Sequence, residues 1–184
     1  FTSHSHKRAT ERAKETLDLL AKDGLHYDLV LLLQGDEPQI FPEDIGNLKQ
    51  VFSNKELEVV NLVFPISGDD LEDPNVVKVA LDKNLTIHFF SRSHIPHDCT
   101  NGYRQLGMIG LTNKALNDYV SLLPTALEEV ESIDMMRLIE NDFSIQGVLS
   151  TSPILGVDTP QDLKKVEQIM MNDKLVNLYK EKYI

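Results

Sequence analysis

Two acids stand where a sheet protein would offer them to a ligand. In "LVLLLQGDEP" (29–38) five consecutive apolar residues stop at Gln34-Gly35-Asp36, and in "GVDTPQDL" (156–163) Asp158 falls between a strand-like segment and a helix start. Open α/β sheets bind ligands beyond the carboxyl ends of their strands. One carboxylate at each of two such places makes a minimal pair for a hard cation, because Mg²⁺ is held through one or two protein acids plus substrate phosphates. Gly35 would let a ligand come close to the backbone. Each acid also has a purely structural reading. Gly-Asp-Glu-Pro is good turn chemistry, and Asp158 or Thr159 can cap a helix that has Pro160 near its first position. The local sequence leaves both readings open.

Other chemistries find less support. His4 and His6 straddle Ser5, His94 and His97 flank Ile95-Pro96, and Cys99 is the single cysteine, so no zinc ligand set forms. There is no Gly-rich phosphate fingerprint and no GxSxG elbow. The 18 Lys+Arg against 29 Asp+Glu leave a formal charge of −11 with no basic cluster, which argues against nucleic acid as a partner. A nucleotide would still need local basic side chains or a divalent cation. One cysteine excludes an internal disulfide and suits a reducing compartment, so a cytoplasmic location is expected. No apolar run approaches the roughly 20 residues that span a bilayer, so no membrane association is expected.

The elements that must position these acids alternate. "TERAKETLDLLAK" (10–22) carries Ala13, Leu17, Leu20 and Ala21 at helical spacing. The buried strand 28–34 follows, then a helix with Pro42 in its first turn and Ile45, Leu48, Val51 and Phe52 on one face. "LEVVNLVFPI" (57–66) is a strand, and "VVKVALD" with "LTIHFFSRS" around Lys83-Asn84 reads as a hairpin, too tightly spaced for a crossover helix. A strand at 105–112, a helix at 113–123, a second helix across 125–142, a strand at 143–150 and a C-terminal helix, broken near Asn172-Asp173, complete the pattern. This is the grammar of one α/β domain.

From "QGDEP" outward the sequence resembles the 3-deoxy-manno-octulosonate (Kdo) cytidylyltransferases. "TSHSHKRATERAKE" (2–15) is similar to the family's T-S-x-x-H-x-x-G-T-[DE]-R-x-x-E, with Ala9 for the glycine. "DPNVVKVALDKN" (73–84), "FFSRSHIP" (89–96) and "GVDTPQDL" resemble further family blocks, in order along the chain. The resemblance implies a three-layer nucleotide-transferase-like (Rossmann-like) mixed sheet with an inserted β-hairpin used for dimerisation. It implies that CTP and a 3-deoxy sugar acid give a CMP-sugar and pyrophosphate with Mg²⁺ as cofactor, in a homodimer serving surface polysaccharide synthesis. Asp36 and Asp158 would be the catalytic metal carboxylates. Thr10, Arg12, Gln34, Gly35, Gln105, Glu131 and Asp134 would bind nucleotide or sugar, while Arg92 is either structural or faces the site.

The departures are informative. The family's basic signature P-A-R-x-x-S-x-R-x-P-x-K is not in these residues, and the sequence opens on Phe1 with helix-forming residues close behind. The expectation is a parent chain whose first strand and phosphate-binding loop precede Phe1, and little activity from these 184 residues alone. Gln105 and Ile109 replace a histidine and a tyrosine of H-x-G-x-Y, and "IDMMR" (133–137) replaces L-E-Q-L-R. A glutamine can bond a hydroxyl or a carboxylate but cannot carry the charge of an imidazolium. The identity of the sugar acid is therefore open. A sialate- or pseudaminate-type enzyme and a non-catalytic pairing subunit are the alternatives.

Overall fold

The computed structural model describes residues 1–176 and residue 178. Strand β1 (Leu29–Leu33) follows helix α1 (Ala9–Lys22), which ends where Gly24 adopts φ +79°. Helix α2 (Pro42–Val51) starts on its proline, where the missing N–H costs nothing. Strand β2 (Val59–Ser67), a 3₁₀ turn (Gly68–Leu71), and the hairpin β3 (Lys78–Leu81) and β4 (Thr86–Ser91) come next. The long strand β5 (Asn101–Thr112) leads into α3 (Asn113–Ser121), α4 (Ala126–Glu131) and α5 (Met135–Ile139). Strand β6 (Ile145–Leu149) and helix α6 (Pro160–Met170) follow. The expected break beyond Met170 is present as a turn at 171–172, while the end of the expected C-terminal helix lies outside the described residues.

Strand β5 organises the six-stranded sheet, whose order is β1-β5-β2-β6-β4-β3. It runs antiparallel to β2 along most of its length, with a bulge between Asn61 and Val63, while β2 and β6 are parallel. On its other side β5 pairs with β1 through residues 108–112 and with β3 at Tyr103 and Arg104. The hairpin therefore arches over one face, β3 seated on β5 and β4 on β6 through Thr86 and Ile87. Alternation along β2 builds two cores. Val59 and Val63 pack with Leu17, Leu116, Met135 and the hairpin residues Val79 and Phe90, whereas Val60 and Leu62 pack with Leu48 of α2. The result is three layers with a mixed sheet between helices, as expected.

Two boundaries differ from the sequence reading. Strand β5 begins at Asn101, because Asn101–Arg104 extend the antiparallel ladder with Phe64–Ser67. The helix expected across 125–142 is two helices, since Ser132 sits in the left-handed region at φ 56° and turns the chain. A buried ion pair spans that break. Arg137 Nε and Nη2 donate to Glu128 Oε2 and Oε1 at 2.7 and 2.8 Å, and the guanidinium stacks 4.3 Å from the Tyr119 ring centroid.

Candidate active site

Strands β1, β2 and β6 all point their carboxyl ends to one side of the sheet, and a trough opens there. One half, about 540 Å³, is lined by residues that include Lys7, Arg8, Gln34, Gly35, Asp36, Arg92, Gln105 and Asp134. The other, about 410 Å³, includes Gln34, Asp36, Glu37, Asn75, Arg92, Arg104, Gln105, Gly107 and Asp158. The halves share Gln34, Asp36, Val77, Arg92 and Gln105, so Asp36 stands at their junction. Lys7, Arg8, Arg92 and Arg104 bring positive charge to a lining that also holds Asp36, Glu37, Asp134 and Asp158, and Arg8 Nε is paired with Glu128 at 3.1 Å.

The loop after β1 is built from its backbone. Gln34 N–H donates to the Gly107 carbonyl at 3.0 Å, and Glu37 N–H closes a turn onto Gln34 O at 3.3 Å. The turn uses no atom of the Asp36 side chain, which is exposed and has no hydrogen-bond partner among the described residues. Gly35 does not need positive φ, and a β-carbon there would meet nothing within 4 Å. Its side faces open space.

Asp158 is released from capping in the same way. Thr159 is the N-cap of α6, its Oγ1 accepting from Asp162 N–H at 3.2 Å while Asp162 Oδ2 accepts from Thr159 N–H at 2.9 Å. Val157 N–H donates to the Asp36 carbonyl at 2.8 Å, which joins the two acid-bearing loops. Both carboxylates thus line one cavity with no structural duty. A pair of free hard oxygen donors fits a Mg²⁺ ion whose remaining ligands come from phosphates and water.

The other expected residues divide. Gln34, Gly35, Arg92, Gln105 and Asp134 line the trough. Thr10, Arg12 and Glu131 line neither half. Thr10 is fully buried and donates to Asp134 Oδ2 at 2.6 Å; burial pushes that carboxyl upward. Arg12 ties down the first residues through Thr2 Oγ1 and the Ser3 carbonyl at 3.2 and 2.9 Å. Glu131 accepts from Ser91 Oγ and from Arg92 N–H, each at 2.9 Å, while Arg92 Nε and Nη1 donate to the carbonyls of Glu131 and Pro74. Arg92 is therefore held by the fold and also lines the trough.

Two residues escaped the sequence reading. Glu37 is 7% exposed, accepts Gly107 N–H at 2.8 Å on Oε1, and leaves Oε2 buried without a partner. Burial raises its pKa to about 6, opposed by the Gly107 bond and Arg104 and helped by Asp36 and Asp158. Arg104 buries its Nε with no partner. Both line the half of the trough that holds Asp158. Their positions beside Asp36 and Gln105 were the only signal, and burial cannot be read from adjacency.

The sheet and the uncommitted groups at its strand ends define a nucleotidyltransferase-like α/β protein. The family profile described as Cytidylyltransferase matches residues 1–148. Curated relatives named 3-deoxy-manno-octulosonate cytidylyltransferase come from Chlorobium limicola, 38% identical over 92% of this chain and 70% of theirs, and from Bacteroides thetaiotaomicron, 34% identical over 94% and 73%. A solved CMP:2-keto-3-deoxy-manno-octonic acid synthetase complexed with CTP superposes with a TM-score of 0.79 at 30% identity, covering 92% of this chain and 70% of that one. A putative glucose-1-phosphate thymidylyltransferase from Bacillus anthracis, 18% identical with a TM-score of 0.61 over 94% and 64%, shares the fold. The chain belongs to the cytidylyltransferases, in the group of the 3-deoxy-manno-octulosonate enzymes.

Proposed function

We propose that the protein transfers CMP from CTP to a 3-deoxy sugar acid of the Kdo type, releasing pyrophosphate, for lipopolysaccharide or surface polysaccharide synthesis. The observation that carries this reading is the joining of two uncommitted carboxylates, Asp36 and Asp158, on loops tied by the Val157–Asp36 backbone bond. The sugar's anomeric oxygen attacks the α-phosphorus, the α–β anhydride breaks, and the hydroxyl proton is lost to solvent or a nearby base. Asp36 and Asp158 would hold Mg²⁺, which when bound supplies charge neutralisation and orientation of the phosphates. Arg92, Arg104, Lys7 and Arg8 attract and orient the anionic reactants, and Gly35 leaves room beside the backbone for them.

The reading includes a strand and a basic phosphate-binding loop supplied by sequence upstream of Phe1, with low activity in their absence. The Chlorobium relative is matched over 70% of its length, and β1, whose pairing among the described residues is with β5 alone, offers an edge for one further strand. The reading also includes a cytoplasmic homodimer paired through β3–β4, an expectation resting on family resemblance; none of the large exposed apolar residues falls in that hairpin. The test is pyrophosphate release from CTP and Mg²⁺ with Kdo, amino-substituted Kdo and sialic acid, by the chain alone and joined to the upstream segment. Release with a Kdo-type acid by the joined chain supports the reading. Release with sialic acid alone, or with none, overturns it.

A further inference from the structure

On the proposed reading, on which this inference rests, Asp36 and Asp158 hold one cation, so their two loops must keep a fixed spacing. The Asp36 loop is anchored to β5 at Gly107, whose carbonyl accepts Gln34 N–H at 3.0 Å and whose N–H donates to Glu37 Oε1 at 2.8 Å. The Asp158 loop is built differently. Residues 151–159 form neither helix nor strand, and the chain leaves the sheet at Ser150, whose N–H donates to the Val63 carbonyl at 2.8 Å. Beyond it, Ile154 is buried in the core that Leu48 of α2 shares, and cross-ties to residues 36–44 hold the rest. These ties form an antiparallel seam. Val157 N–H donates to the Asp36 carbonyl at 2.8 Å, and Leu155 N–H donates to Gln39 Oε1 at 3.3 Å. At the far end Thr151 N–H and Ser150 Oγ donate to Asp44 Oδ1 and Oδ2 at 3.2 and 2.7 Å. Gln39 and Asp44 are buried, and neither lines the trough. The Leu155 bond is the single side-chain hydrogen bond of Gln39 among the described residues.

We propose that Gln39 is a positioning residue for the metal pair, which by accepting the Leu155 N–H holds the segment ending at Asp158 against the Asp36 loop. The bond at Val157 joins main chain to main chain, and by itself it is a pivot about which the segment turns. The Gln39 bond is a second point of attachment on the same two loops, and it removes that rotation. A buried amide is costly unless it is bonded. Here its bond goes to the loop that carries a carboxylate with no structural duty. Groups behind metal ligands set affinity by fixing how those ligands are oriented. Asp44 closes the seam where the segment leaves β6, so it reaches Asp158 only through the whole length of that segment.

The tests use the protein joined to its upstream segment. In the unaltered protein the Leu155 and Val157 amide protons should show protection within about threefold of each other, because one opening frees both. Free exchange at Leu155 beside a protected Val157 would overturn the inference, whether or not any variant folds. Gln39→Met keeps the length of the side chain and loses the acceptor, so exchange at Val157 should quicken at least about tenfold. Binding of Mn²⁺ in the presence of CTP, read from the relaxation of water protons, should weaken roughly tenfold, the usual effect of losing a group behind a ligand. Gly110→Ala crowds Phe52 and Val60 and serves as the control for general destabilisation. Its Mn²⁺ affinity should stay within about twofold of the unaltered protein, since distant sites act independently. Equal weakening in both variants would overturn the inference. So would unchanged Val157 exchange in Gln39→Met, or unchanged Mn²⁺ binding there when Asp36→Asn loses it; each of these leaves the cytidylyltransferase reading in place. Binding indifferent to Gln39→Met and to Asp36→Asn alike would overturn the inference together with the metal role of Asp36 in the proposed function.

Discussion

At Gly35 a β-carbon would meet no protein atom within 4 Å, and the backbone there needs no positive φ. Folding alone gives no reason for a glycine, so Gly35→Ala should change the unfolding free energy by less than about 0.5 kcal/mol. If a ligand approaches this backbone, the same change should weaken CTP or sugar binding, which calorimetry reads. Asp36→Asn should lower pyrophosphate release more than about 100-fold, because a neutral amide is a poor ligand for a hard cation, while the melting temperature stays put. A comparable loss of folding would instead return Asp36 to a turn role. The "QGDEP" and "GVDTP" loops were legible as loops beyond strand ends because strand ends and helix starts are local patterns. Whether Asp158 or Thr159 capped α6 was not, since either side chain satisfies the same N–H; the capping box with Asp162 decides it. Glu37 and Arg104 were illegible for another reason. Their importance lies in unpartnered buried atoms, a property of tertiary surroundings.

Among the elements, α4 and α5 depend on one ion pair. Glu128 is 1% and Arg137 3% exposed, so Arg137→Met should cost about 3–5 kcal/mol in denaturant unfolding, the usual effect of stranding a buried charge. Burial alone would raise the Glu128 pKa, but hydrogen bonds from Arg137 and Arg8 outweigh it and hold the carboxyl below its ordinary range. A depressed folded pKa means that stability is present above the unfolded value and lost as pH falls through the folded one. Unfolding free energy should therefore decline as the pH drops below about 4.3, and the decline should be shallower in Arg137→Met. Gly110 tests the layers. A β-carbon there would lie 2.6 Å from Phe52 Cε2 and 2.7 Å from Val60 Cγ2, so Gly110→Ala should destabilise by about 1–3 kcal/mol through overpacking. The apolar periodicity made α1, α2 and α3 readable. It hid the break at Ser132, because a single left-handed residue does not disturb hydrophobic spacing. It also hid the first four residues of β5, whose Asn-Gly opening reads as a turn until β2 is beside it.

At the scale of the molecule, the sheet bends back on itself through the hairpin, and β1 is the strand with one side wholly unpaired among the described residues. Beside that edge lies an apolar groove of about 240 Å³ lined by Ala13, Thr16, Leu17, Leu20, Tyr27, Leu29 and Val30. If an upstream strand belongs there, joining it should slow hydrogen exchange at the Leu29–Leu33 amides that face away from β5 by more than about tenfold. Unchanged exchange would place that segment elsewhere. The β-hairpin was foreseen, but its closure onto both β5 and β6 was not, since pairing partners far apart in sequence leave no trace in either strand's pattern. That closure gives the sheet a valence of one. Strand-to-strand association of two bare chains through β1 would consume the free edge of each and stop at a pair, so this geometry directs such association toward a finite dimer and away from an open fibre.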